Sequence, residues 1–258
     1  MKAHPTTIVH PRAQVACNVT LGPYSVIGEG VELGEDSEVM SHAVVEGPTK
    51  IGKGNRIFPF ASIGLAPQDT KYRGEPTRLE IGEGNIFREF VTVHRGTAGG
   101  GGVTRIGNHN LLMAYVHVAH DCTLHDHVIM ANGASLAGHV EIGDYAIVGA
   151  FCGIHQYCRI GTHSFLGGFT GVNKDILPYS KTSAPRPVVV YGANRLGLER
   201  NGLSREDIDE LDAAFRLLCR SKLNTSQALE KVQARGFKSP HVRALVEFIQ
   251  SSERGVVK

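Results

Sequence analysis

The sequence predicts a mainly β fold: a parallel β-helix of hexapeptide repeats, followed by a small α-helical domain. Three observations predict it. Every sixth residue from Ile106 to Val172 is aliphatic, through Leu112, Val118, Leu124, Met130, Leu136, Ile142, Val148, Ile154, Ile160 and Leu166. The same register runs earlier, through Val9, Val15, Leu21, Ile27, Leu33, Val39, Val45, Ile51, Ile57 and Ile63. From Leu203 the apolar period becomes helical, with Ile208, Leu211, Phe215 and Leu218 on one stripe.

A six-residue repeat is too short for a helix pair and does not fit a 3.6-residue period. It fits a short strand plus a turn, forming one side of a triangular coil. Three sides make a coil of about 18 residues, and stacked strands lie about 4.8 Å apart. Gly often follows the aliphatic position, as at Gly22, Gly28, Gly34, Gly52 and Gly64. Small or β-branched residues recur four after it, as at Ala13, Ser25, Val31, Ser37, Ala43, Thr49 and Ala61.

The register breaks twice. Leu65 to Glu80 is too polar for core and reads as a projecting loop, after which Ile81, Phe87 and Val93 resume in phase. Thr97 to Thr104, with Gly99-Gly100-Gly101-Gly102, reads as a second loop and shifts the phase by one. Loops on a rigid scaffold commonly carry function. The ladder is expected to end after Val172, where Pro178, Pro185 and Pro187 break regular structure. Ser204 with Asp207 resembles a capping box. Two more helices are expected near Ser226–Ala234 and Pro240–Gln250. The division is then residues 1–190 for the solenoid and 191–258 for a helical cap over its last coil.

Composition excludes several function classes. With 27 Lys+Arg against 25 Asp+Glu the chain is too balanced to coat nucleic acid. The 31 Gly and absent Trp suit many tight turns. The five Cys form no CxxC pair, and Cys122, Cys152 and Cys158 fall on the small-residue positions, so they read as reduced core thiols. Met1-Lys2-Ala3-His4-Pro5 opens no signal peptide, and no apolar run approaches the roughly 18 residues of a membrane span. A soluble, cytoplasmic protein is expected.

The candidate chemistry lies in Tyr115-Val116-His117-Val118-Ala119-His120-Asp121. One 18-residue coil carries position 120 onto Gly138 and the next onto Gln156; Asp121 falls on His139. Motifs far apart in sequence thus converge on one patch. His10, His42, His109, His125, His127 and His163 read instead as solvated turn residues.

Several segments match a known family together and in order: the hexad ladder, Lys71-Tyr72-x-Gly74-Glu75-Pro76-Thr77, His94-Arg95-Gly96-Thr97, His117-x-x-His120-Asp121-Cys122, Leu136-Ala137-Gly138-His139 and His155-Gln156. They resemble the UDP-N-acetylglucosamine O-acyltransferase family, which begins lipid A synthesis. The resemblance covers essentially the whole chain. It implies a left-handed β-helix, which periodicity does not give, since parallel crossovers are usually right-handed. It also implies a homotrimer with active sites between neighbouring subunits.

The implied reaction moves a 3-hydroxyacyl group from acyl carrier protein to the 3-position of UDP-N-acetylglucosamine. A sugar hydroxyl needs a base to become a good nucleophile, and histidine is the side chain suited to that near neutral pH. By resemblance His120 is that base, Asp121 orients it, and the Gly138 N–H meets the oxyanion. Asp69, Lys71, His94, His117, His139, His155 and Gln156 are implied substrate contacts, with Gly168 as acyl-chain ruler. Asn194 and Arg200 match nucleotide contacts, whereas Leu196 and Asn201 depart from the Glu and second Arg usual there. That departure leaves open a 3-amino sugar acceptor and an amide product. No cofactor or metal is expected. Arg216 and Arg220 read first as a solvated helix face and second as a contact for the acidic carrier. The competing readings are an acyl-CoA-dependent hexapeptide acyltransferase or the pathway's later N-acyltransferase, a γ-class carbonic anhydrase with zinc on His117 and His120, and a non-catalytic scaffold.

Overall fold

The computed structural model describes residues 1–182 and 187–258, so Pro185 lies outside the described residues. Inward-pointing ladder residues build a triangular prism of three sheets, with 11, 9 and 8 strands among the described residues, parallel except for the last strand of the first sheet. Each strand pairs with the strand one coil away. Val118 lies beside Leu136, Leu136 beside Ile154 and Ile154 beside Val172. All twelve ladder residues from Ile106 to Val172 are at most 3% exposed.

Most corners carry a non-glycine residue in the left-handed region, among them Tyr115, Asp121, His139 and Tyr157. Their rings stack up the corners, as in Tyr24, His42, Phe60, Phe90 and Tyr115. His163 belongs to such a column, stacked on Tyr145 and Tyr179. Contrary to the solvated reading it is half-buried, and burial lowers its pKa.

The interior row beside the ladder is not wholly apolar. Asn55, Asn85 and Asn110 are at most 1% exposed and stack on successive coils. Asn85 Nδ2 donates to Asn55 Oδ1 (3.0 Å) and Gly107 O (2.9 Å), and Asn85 Oδ1 accepts from the Asn110 N–H (2.9 Å). Asn85→Leu should therefore destabilise the chain by about 1–3 kcal/mol, because buried partners lose their bonds. Thermal unfolding checks this, and an unchanged midpoint would refute it. Cys122, Cys152 and Cys158 are buried and unpaired, as expected, and burial pushes the Cys122 thiol up to about 12.

Both loops are shorter than the polarity of the sequence suggests. Arg78–Ile81 and Val103–Ile106 are strands paired with each other. Leu79 and Thr104 are fully buried, so the insertions end at Thr77 and Gly102. The solenoid also runs past Val172. Ile176 bridges to Ile160, and Lys181 pairs with Phe165, in a coil shorter by two residues. Ser180–Thr182 then pairs antiparallel with Val190–Ala193, which is packed on the helices. A boundary between 190 and 191 therefore falls inside a strand.

Four helices follow: α1 (Arg195–Arg200), α2 (Arg205–Cys219), α3 (Thr225–Ala234) and α4 (Pro240–Gln250). Ser204 caps α2 through the Asp207 N–H, but the Asp207 carboxylate takes the Ser204 hydroxyl rather than its backbone N–H. The short acid cannot reach back, so the reciprocal box expected there is not made. It is made at α3 by Asn224 and Gln227. The Ile208, Leu211, Phe215 and Leu218 stripe is buried, in a core continuous with the prism. The final residues return to the last coil, where the Val257 N–H donates to Asp175 O at 2.9 Å.

Candidate active site

Strand alternation turns His117 outward and Val118 inward, and the chain then bends through His120 and Asp121. Asp121 sits in the left-handed region (φ 61°), which turns its side chain into the corner. Its carboxylate is 1% exposed and fully engaged. Oδ1 accepts the Thr97 N–H (2.8 Å), and Oδ2 accepts the Thr97 hydroxyl (2.6 Å) and the His120 Nδ1–H (2.7 Å). A carboxylate accepting at Nδ1 leaves the other ring nitrogen, Nε2, as the lone-pair donor.

The column predicted from the 18-residue coil is present. The His139 N–H donates to His120 O, and the Tyr157 N–H to Gly138 O. A Cβ at Gly138 would lie 2.5 Å from His120 Cε1 and 2.9 Å from Nε2. Glycine is what lets the imidazole rest over the next coil. Among the described residues the Gly138 N–H has no protein acceptor, so it is free to meet a ligand beside Nε2. His139 Nε2 lies 3.8 Å from Asp121 Oδ2, and its ring stacks on Tyr157.

Two further imidazoles complete the patch. His94 and His117 meet edge to face, 5.2 Å between centroids. Burial, followed by the neighbouring His117, His120 and Arg95, pulls His94 down to about 4. Burial, then His120, lowers His117 as well, and Thr92 Oγ1 holds its Nδ1 at 2.7 Å. The lowering favours the neutral form of both rings, the form that offers hydrogen bonds without opposing a positive charge on His120. His139 is lowered chiefly by burial, with the Asp121 and Asp69 carboxylates opposing. His117, His120, Gly138, His155 and Gln68 line a cleft of about 1410 Å³ that runs past Ser135, Gly153 and Gly171 to Lys174 and Lys258.

The first projecting loop reaches this patch. Asp69 Oδ1 accepts the Lys71 N–H at 2.9 Å, and Arg95 pins the loop's base. Its Nη1 donates to Gly47 O and Gly64 O, both at 2.8 Å, and Nη2 donates to the Tyr72 hydroxyl at 3.4 Å.

Comparison with known proteins decides the family. A family described as Udp N-acetylglucosamine O-acyltransferase, domain 2, matches residues 175–257, and bacterial transferase hexapeptide repeats match 104–138. A protein of Thermodesulfovibrio yellowstonii named acyl-[acyl-carrier-protein]--UDP-N-acetylglucosamine O-acyltransferase is 46% identical over 255 residues, covering 99% of this chain and 98% of its own. A Thiobacillus denitrificans protein of the same name is 49% identical, with the same coverage. The solved LpxA of Bacteroides fragilis, a UDP-N-acetylglucosamine acyltransferase, superposes with a TM-score of 0.96 at 41% identity and 99% coverage of both chains. The chain belongs to the UDP-N-acetylglucosamine O-acyltransferase family. Its solenoid is accordingly a left-handed parallel β-helix.

Not every residue matched to this acyltransferase family joins the patch within one chain. Of the matched site residues only His117, His120, Gly138 and His155 line the cleft; Asp121, His94 and His139 pack behind or beside it, and Asp69, Lys71, Gln156, Gly168, Asn194 and Arg200 do not line it. Gly168 lies beside Ala150 at another corner, and Asn194 Nδ2 donates to His163 O at 3.1 Å. Arg200 is exposed on α1, as is Leu196, at 59%. Arg216 flanks a smaller pocket with Lys181, Arg195 and Arg220, and Arg220 Nη2 donates to Tyr191 O at 2.6 Å. Sequence reasoning missed Thr92, Thr104 and Gln68, and quoted Thr97 only as part of a matched segment, with no role. Thr97 closes that matched segment and, with Thr104, flanks the glycine run, and Gln68 precedes Asp69.

Proposed function

We propose that this chain is the acyltransferase that moves a 3-hydroxyacyl group from acyl carrier protein to the 3-hydroxyl of UDP-N-acetylglucosamine, the first step of lipid A synthesis. The observation that carries the reading is the Asp121–His120 pair, with the imidazole against Gly138, whose N–H is unengaged, in the lining of the cleft.

His120 Nε2 takes the proton of the sugar hydroxyl as its oxygen attacks the thioester carbonyl carbon. The new C–O bond forms, and the carbonyl oxygen becomes an oxyanion facing the Gly138 N–H. Collapse breaks the C–S bond, and the imidazolium returns its proton to the departing thiolate. Asp121 holds the Nδ1–H throughout and favours the transient positive ring. Nothing in this sequence of steps calls for a cofactor.

The substrate contacts follow the family pattern. Lys71 suits the diphosphate as a point charge, with Asp69 fixing its backbone. The neutral His94 and His117 suit uncharged sugar hydroxyls. His139, His155 and Gln156 complete the contacts. Gly168 leaves the groove open to a long acyl chain, and Asn194 and Arg200 bind the nucleotide. We further propose a homotrimer working in the cytoplasm. A site shared between neighbouring subunits accounts for matched residues that lie apart in one chain. The solenoid carries the chemistry, and the helical unit, on which Val190–Ala193 packs, receives the carrier protein.

The acceptor is tested by competition. Purified chain, given 3-hydroxyacyl carrier proteins of several lengths, should acylate UDP-N-acetylglucosamine in preference to its 3-amino analogue, and the product should be an alkali-labile ester. Preference for the amine, with a stable amide, would trace to the Leu196 and Asn201 departures. Transfer to neither sugar would sink the reading.

A further inference from the structure

The second insertion folds over Asp121. Asn85 Oδ1 reaches the Asn110 N–H 25 positions on, whereas the next equivalent step, from Asn110 to Val128, is 18. The extra residues form the turn from Thr97 to Gly102, with a 3-10 segment at Ala98–Gly100. Thr97 O closes this turn by accepting the Gly100 and Gly102 N–H groups at 3.1 and 2.8 Å. A Cβ at Gly100 would lie 2.1 Å from Asp121 Cγ, so the glycine backbone covers the carboxylate directly and shuts out water.

We propose that Thr97 is a positioning residue for the acyl transfer, acting through Asp121, and that the glycine turn is the cover that keeps this pair dry. Thr97 grips both carboxylate oxygens, one through its N–H and one through its hydroxyl. From the other side the Asp121 N–H donates to Thr104 Oγ1 at 2.8 Å. Two grips fix the plane of the carboxylate, and the remaining capacity of Oδ2 is aimed at His120 Nδ1. Without the hydroxyl the carboxylate rotates, and the imidazole loses its fixed orientation. With the carboxylate dry, each of these charge-assisted bonds is stronger than it would be in water.

The proposal rests on the reading of His120 as base, and the test separates the two. Thr97→Val keeps the size and the N–H and removes the hydroxyl. In the full-length protein it should lower kcat by about 10- to 100-fold, the range for a hydrogen bond to a charged group, with KM for the sugar nucleotide within about twofold. Thr97→Ser should restore kcat to within about threefold. In an Asp121→Ala background Thr97→Val should cost nothing more, because its effect runs through that carboxylate. Should Thr97→Val fail to fold, Gly100→Ala, which displaces the turn from Asp121, should give the same selective loss of kcat. A wild-type kcat in the folded Thr97 or Gly100 variant, or an undiminished loss in the Asp121→Ala background, would overturn the proposal. Full activity in Asp121→Ala alone would overturn it too, whereas full activity in His120→Ala would instead overturn the reading on which it rests.

Discussion

His120→Ala should lower acyl transfer by about 10²–10⁴-fold, the range of a positioned general base, and leave the fold intact. The loss belongs in kcat, because the alanine removes the proton acceptor and leaves the cleft walls in place. The fold survives for a structural reason. Asp121 is buried, and a carboxylate stripped of its partners would destabilise the corner. Thr97 still donates to both of its oxygens when the imidazole is gone. Near-normal thermal unfolding together with a collapsed rate is therefore the expected signature. A variant that unfolds early would mean that His120 is a structural ligand of Asp121 instead.

Gly138→Ala should cost about 10²–10³-fold, comparable to the loss of an oxyanion donor. Gly138 does not need a left-handed backbone, so alanine meets no conformational penalty there. The damage is local. The added methyl would sit 2.5 Å from His120 Cε1, inside any tolerable contact, so the ring must swing away from the carboxylate. The methyl also crowds the approach to the free N–H. A crystal structure of the variant should show His120 displaced, with Asp121 unmoved under Thr97. Wild-type activity in this variant would remove both the oxyanion donor and the close seating of the ring from the account.

The solenoid was legible because a prism this narrow takes an apolar, almost always aliphatic residue at each ladder position, so the sequence repeats its own geometry. Coil length then carried His120 onto Gly138 and Asp121 onto His139 without any structure. What periodicity could not carry is whatever the register does not repeat. The coil after Val172 is two residues shorter, so Ile176 lies off the hexad and the prism reads as finished too early. Helix α1 has six residues, too few to display an amphipathic period. Leu79 and Val103 are core residues inside stretches whose average polarity hides them. The clamp on Asp121 was hidden for a different reason: Thr97 reaches it by a turn folded back across the corner, and spacing does not encode such a contact. The assignment of Asn194, Arg200 and Gly168 came from resemblance, and in one chain these residues stand away from His120.

The central claim is a direct transfer of the acyl group with His120 as base. Its most direct test is product accounting in a single reaction. Purified chain, 3-hydroxyacyl carrier protein and UDP-N-acetylglucosamine are mixed, and mass spectrometry follows the acylated nucleotide and the freed carrier thiol, with His120→Ala run alongside. The prediction is one acyl ester on the sugar nucleotide for each thiol released, and almost none from His120→Ala. Thiol release with the acyl group recovered as free acid, or equal transfer by His120→Ala, would contradict it.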